Sequence, residues 1–171
     1  MHNKHKIHNF LLVIFLTIPI FFGCSDDVKA LQDAPNFTLE DLSGKKVSLE
    51  DYRGSTVLID FWATWCSPCR SSIPELVALQ DKYRDQGLVI LGISVDDPRQ
   101  INSNYLRSFS KKFKINYPVL RADEAVSRAY FGTQSFSIPT LFVINKEGKV
   151  AGQHVGFRPG VVEETIKKLI P

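Results

Sequence analysis

The chain has 171 residues, 44% of them hydrophobic and 23% charged, with a formal net charge of +3. That is ordinary for a globular protein and long enough for one domain with a real core. With Lys4 and Lys6 set aside, 19 basic residues face 18 acidic ones, so the body is near neutral and nothing argues for a nucleic-acid partner.

The first 23 residues read as a targeting segment. Residues 1–9 are polar and basic, and residues 10–22 are apolar but for Thr17 and Pro19. A stretch of thirteen residues is too short for a spanning helix, which needs about 20, and fits the core of a secretory signal. His2, His5 and His8 fall in this removable stretch, so they are a poor metal site. Gly23-Cys24 closes the segment in the manner of a bacterial lipoprotein signal, although Phe21 stands where such signals usually carry Leu. A plain signal followed by a stray cysteine is the other reading. Cys24 leaves Cys66 and Cys69 as an even pair behind it. The expected division is a signal over 1–23, a lipidated cysteine and tether over 24–34, and one domain over 35–171.

Within the domain, 36–40 and 46–50 alternate around "DLSGK" as a hairpin. "TVLIDFW" (56–62) is a strand buried on both faces, and a helix follows over about 67–86, ended by Gly87. "LVILGISV" (88–95) is a second buried strand. Residues 97–113 fit a helix with Asp97 as N-cap and Pro98 in its first turn. A short strand over 117–122, a short helix near 124–131, strands over 140–145 and 150–157 joined by "KEGK", and a helix over 159–170 complete the chain. This order implies an α/β fold, a mixed central sheet flanked by helices.

Cys66 and Cys69 lie where the strand over 56–62 hands over to a helix. A helix N-terminus has free N–H groups and a positive dipole end, and both favour a thiolate. Cys69 sits one turn on, so its sulfur can reach the first, and Pro68 loses no N–H in a first turn. Attack on a partner disulfide followed by resolution is the chemistry this pair supports. A zinc site wants about four ligands, and the body adds only His154. A purely structural bridge over so short a loop removes little chain entropy.

"VLIDFWATWCSPC" (57–69), Pro74, "SIPT" (137–140) and "EGKVAGQHVGF" (147–157) resemble the thioredoxin superfamily. The N-terminal hairpin, the long insertion between residues 96 and 136 and the export signal are similar to its membrane-anchored TlpA/ResA branch. The resemblance implies a thioredoxin-like fold with an N-terminal β-hairpin and a central insertion. It implies that Cys66 attacks and the buried Cys69 resolves. Trp65 and Pro68 would flank the substrate, Pro139 would be cis against the dithiol, and Ile138 would offer its backbone to a bound peptide. Trp65 as a core residue is the alternative. Pro74 would kink the helix.

Asp60 is the one charge inside its strand. A buried, unpaired carboxylate is costly and holds its proton more tightly. In thioredoxins the aspartate at this place accepts the proton of the resolving cysteine, and the same role is implied here; a strand-end Asp satisfied by backbone is the bland alternative. Ser72 stands where several ResA-type proteins carry a glutamate, which shifts weight to Asp60. Phe136 is either an apolar rim or core, and His154 a packed strand residue.

The expected protein is therefore an extracytoplasmic, lipid-anchored, monomeric thiol-disulfide oxidoreductase with no cofactor beyond its dithiol and no metal. It would reduce disulfides of exported proteins or peptides, apocytochrome c among them, with electrons from a membrane thiol donor. Two other classes are weaker. A peroxiredoxin needs a threonine where Ala63 stands, with Thr64 one place off. A copper chaperone of the Sco kind separates its cysteines by three residues, and here two separate them.

Overall fold

The computed structural model describes residues 31–133 and 137–170. The expected signal, Cys24 and Phe136 lie outside them. The chain runs β1 (Thr38–Glu40), β2 (Lys46–Ser48), β3 (Thr56–Trp62), α1 (Ser67–Tyr83), β4 (Leu88–Ser94), α2 (Ser103–Lys112), β5 (Val119–Arg121), α3 (Glu124–Phe131), β6 (Thr140–Ile144), β7 (Val150–Val155) and α4 (Val161–Lys167). Single 3-10 turns follow β2 and α1.

Five strands form one mixed sheet in the order β5-β4-β3-β6-β7. β4 runs parallel to β3 and β5, whereas β6 is antiparallel to β3 and β7. β3 is central and buried at every position, as its unbroken apolar run demands. Its side chains alternate. Val57, Ile59 and Phe61 pack on one face with Leu39, Val47, Val126 and Phe142. Leu58 and Trp62 pack on the other, against Leu76 and Leu79 of α1 and Leu106 and Phe109 of α2 respectively. Each such fully buried side chain contributes about 1.5–3 kcal/mol.

The hairpin β1–β2 stands apart from the main sheet. Its approach strand is a strap. Gln32 O accepts from Val150 N at 2.8 Å, and Ala34 N donates to Gly148 O at 2.9 Å, so the strap starts at the β7 edge. It then crosses the sheet face, burying Ala34, Phe37 and Leu39, and reaches the opposite edge where Asp41 bridges Leu120. Residues 31–34, the end of the expected tether, are thus fastened to the domain. The central insertion supplies α2 to one face and α3 to the other. From α3, Tyr130 packs against Phe61 at 5.2 Å and Phe142 at 5.0 Å, and its hydroxyl donates to Pro35 O of the strap.

Two local expectations need correction. The helix expected from Asp97 begins at Ser103 instead, capped by Asn102, whose Oδ1 accepts from Tyr105 N at 3.0 Å. Asp97 grips Arg99 through both backbone and guanidinium, closing one isolated turn. The last helix is shorter than expected at both ends; Gly160 enters it in the left-handed region, at φ 78°, and Lys168 closes it. At the end of α1, Gly87 takes φ 87°, the stop the sequence announces.

Candidate active site

Cys66 is the N-cap of α1, and its Sγ accepts from Cys69 N at 3.2 Å. The sulfur occupies the place a Ser or Asp oxygen usually takes, so the helix end meets this sulfur directly. Pro68 lies in the first turn and is exposed. The two cysteines are joined as a disulfide, with Cα atoms 5.2 Å apart. Cys69 is wholly buried, and Cys66 has a small exposed fraction. Trp65 is 67% exposed beside them, so it is no core residue.

The Ile138–Pro139 bond is cis, and Ile138 O lies 3.7 Å from Cys66 Sγ. Gly156 N donates to Pro139 O at 2.8 Å, tying that turn to the end of β7. Cys66, Cys69, Ile138 and Pro139 are therefore gathered at one end of the sheet. Pro74 sits inside α1, where it removes one backbone bond. Ser72 is buried, and its hydroxyl donates to Cys69 O at 2.8 Å.

Asp60 is 1% exposed, and neither carboxylate oxygen has a hydrogen-bond partner among the described residues. Burial pushes its pKa up to about 7. It lies on the α1 side of β3, between Leu58 and Trp62. Its neighbours across the ladder are Gly92 and Leu141. Tyr117 is pushed upward by burial and by this carboxylate. Gly92 has to be small: a Cβ there would stand 3.1 Å from Trp62 Nε1 and 3.1 Å from the Tyr117 ring.

A second aspartate sets the loop before the dithiol. Asp96 is buried and accepts from Thr64 N at 3.0 Å, Thr64 Oγ1 at 2.8 Å and Ser94 Oγ at 2.9 Å. Arg70 Nη1 donates to Thr64 O at 2.9 Å from the first turns of α1. These contacts hold the chain that presents Trp65 and Cys66. The sequence pairs Asp96 and Asp97 without separating their roles, and only the ladder between β3 and β4 brings Asp96 under Thr64. His154 is half-buried at β7, its Nε2 3.1 Å from Thr165 Oγ1.

This arrangement is a strand-to-helix dithiol facing a cis-proline turn, and the chain that carries it is similar to known proteins. Residues 30–153 match the model of the AhpC/TSA family. The chain belongs to this thioredoxin-like family. A thiol-disulfide oxidoreductase ResA of Bacillus cereus is 31% identical over 152 residues, 88% of this chain and 84% of that one. A thiol:disulfide interchange protein of Chlorobium tepidum superposes with a TM-score of 0.72 at 32% identity, covering 82% of this chain and 97% of that one. The pneumococcal exposed lipoprotein thioredoxin of Streptococcus pneumoniae gives a TM-score of 0.65 at 30% identity, covering 79% and 100%. Within the family the chain is a thiol-disulfide oxidoreductase of the ResA type.

Proposed function

We propose that this oxidoreductase works as a reductase of disulfides in exported proteins or peptides, held to a bacterial membrane by a lipid on Cys24. The observation that carries the reading is the Cys66 sulfur at the N-cap of α1, hydrogen-bonded by Cys69 N–H beside exposed Trp65. In the reduced protein that N–H and the helix dipole stabilise a Cys66 thiolate. The thiolate attacks one sulfur of the partner disulfide and expels the other as a thiolate. Cys69 then attacks the Cys66 sulfur and releases the second partner thiol. Two electrons pass to the partner, and the protein is left as its disulfide.

Cys69 must lose its proton to attack. Asp60, buried and with a pKa near 7, is the base we assign to it, directly or through a water. Trp65, Pro68, Ile138 and Pro139 form the surface against which the substrate lies. The dithiol is the whole redox equipment in this reading, with no cofactor or metal. Electrons would come from a membrane thiol donor, and apocytochrome c is one fitting substrate. An extracytoplasmic, monomeric, lipid-anchored protein fits the signal-like N-terminus and the lipoprotein named among the similar structures. Among the described residues no helix is long and apolar enough to cross a membrane. Peroxide reduction finds less support. Ala63 stands at the required threonine position, and the Thr64 hydroxyl already donates to Asp96.

The reduction potential of the Cys66–Cys69 pair tests the direction. A value near about −270 mV is expected of a reductase, whereas one near about −120 mV would make the protein an oxidant and overturn the reading.

A further inference from the structure

Beside the dithiol lies an open groove between the start of α1 and the outer face of α2. Thr64, Arg70, Tyr105, Phe109, Lys112 and Phe113 line it. Thr64 is two residues before Cys66, and Arg70 is held on Thr64 O, so the groove is continuous with the redox turn. Its floor is aromatic. Phe109 stacks on Phe113 at 4.3 Å, and Tyr105 is 52% exposed at the rim.

Its charge is of one sign. Of the residues that line it, Arg70 and Lys112 are charged and none is acidic. Lys82, Arg84, Arg99, Arg128, Lys149 and Lys167 each meet a carboxylate, whereas other surface cations, Lys168 among them, form no ion pair among the described residues. Among the described residues Arg70 and Lys112 meet none. Lys112 instead lies 5.9 Å from the centre of the Phe113 ring. The one carboxylate under the groove wall, Asp96, is turned inward and occupied by Thr64 and Ser94.

We infer that this groove docks the polypeptide substrate, and that it selects disulfides flanked by acidic residues and an aromatic or aliphatic side chain. The inference rests on the thiol-disulfide reading of the same site. A carboxylate beside the partner's disulfide would face Arg70 and Lys112, while its apolar neighbour covers Tyr105 and Phe109. Exposed charge pairs contribute little to affinity but speed encounter and orient it, so the effect belongs in the rate of attack.

The test uses the reduced protein and three oxidised peptides that share one disulfide loop and differ only in a Glu-Phe, Gln-Phe or Lys-Phe flank. Single-turnover rates are divided by each variant's rate with neutral hydroxyethyl disulfide. The Glu-flanked peptide should react about tenfold faster than the Lys-flanked one at low salt, with the gap closing near about 0.5 M salt. Lys112→Glu should erase or invert that order. Lys168→Glu, the same charge change at the exposed residue that ends α4, should leave it intact. Equal rates for the three peptides, or an equal loss in Lys168→Glu, would overturn the proposal. Failure of the unaltered protein to reduce hydroxyethyl disulfide at all would overturn the thiol-disulfide reading beneath it.

Discussion

Burial leaves the Asp60 carboxylate with no hydrogen-bond partner among the described residues, so its proton bears on folding as well as on the role proposed for it. Its pKa rises from 3.8 to about 7 on folding. Below about pH 4 the folded and unfolded forms are both protonated, and Asp60 imposes no penalty. Between about pH 4 and 7 only the unfolded form ionises, so stability falls as pH rises. Asp60→Asn should therefore leave stability at pH 4 nearly unchanged and raise it at pH 8, by about 4 kcal/mol at most. Urea unfolding across that range checks this, and a variant less stable at pH 8 would contradict it. The same variant should slow resolution of the mixed disulfide. Cys69→Ser should accumulate a covalent Cys66–substrate adduct visible by mass spectrometry, whereas Cys66→Ser should abolish insulin reduction. At this scale the sequence is informative where chemistry is local. One charge in an apolar strand and two cysteines at a helix start are visible without a fold. Asp96 is not, because its partner Thr64 is 32 residues away.

Gln80 shows how one element is completed by another. β5 covers β4 only from Gly92 onward, so the earlier part of that edge lacks a strand. Gln80, buried on α1, fills the gap: its Oε1 accepts from Ile90 N at 2.7 Å and its Nε2 donates to Leu88 O at 3.0 Å. Gln80→Leu should strand both backbone groups and cost about 2–4 kcal/mol, read as a lower urea midpoint with an unchanged slope. Gly92→Ala should also destabilise, because the added methyl meets Trp62 and Tyr117. The strands and α1 were legible from periodicity and from Gly87. The start of α2 was not. Asp97-Pro98 has the residue types of a helix entry, but its carboxylate is drawn to Arg99, and Asn102 caps the helix a turn later. Local competition between two good caps is invisible to a rule that scores each alone.

For the molecule as a whole, the strap over 31–41 joins both edges and one face of the sheet. A chain begun at Phe37 would lose two backbone bonds, one to β7 and one to the turn before it, together with Ala34 and the Pro35 carbonyl that Tyr130 binds. It should be less stable by about 2–4 kcal/mol and should self-associate through the opened β7 edge, seen as a concentration-dependent sedimentation rate. The alternation of elements revealed the α/β class. The strap's path was hidden, since residues 31–34 carry no strand pattern and pair only because β7 offers them an edge.

That path also orients the protein. Asp33 bridges Lys149 at the end of the sheet where β3 begins, since Val57 pairs with Ile144 and Ile144 with Val150. The dithiol lies past the other end of β3, about 20 Å away for a strand of this length. Were Cys24 acylated, as proposed, the seven residues 24–30 could span at most about 25 Å. That span would meet the domain at its heel, with the dithiol at the toe. The protein would sweep a shell of limited depth above the bilayer with its working end pointing outward, within reach of tethered and freshly exported chains alike.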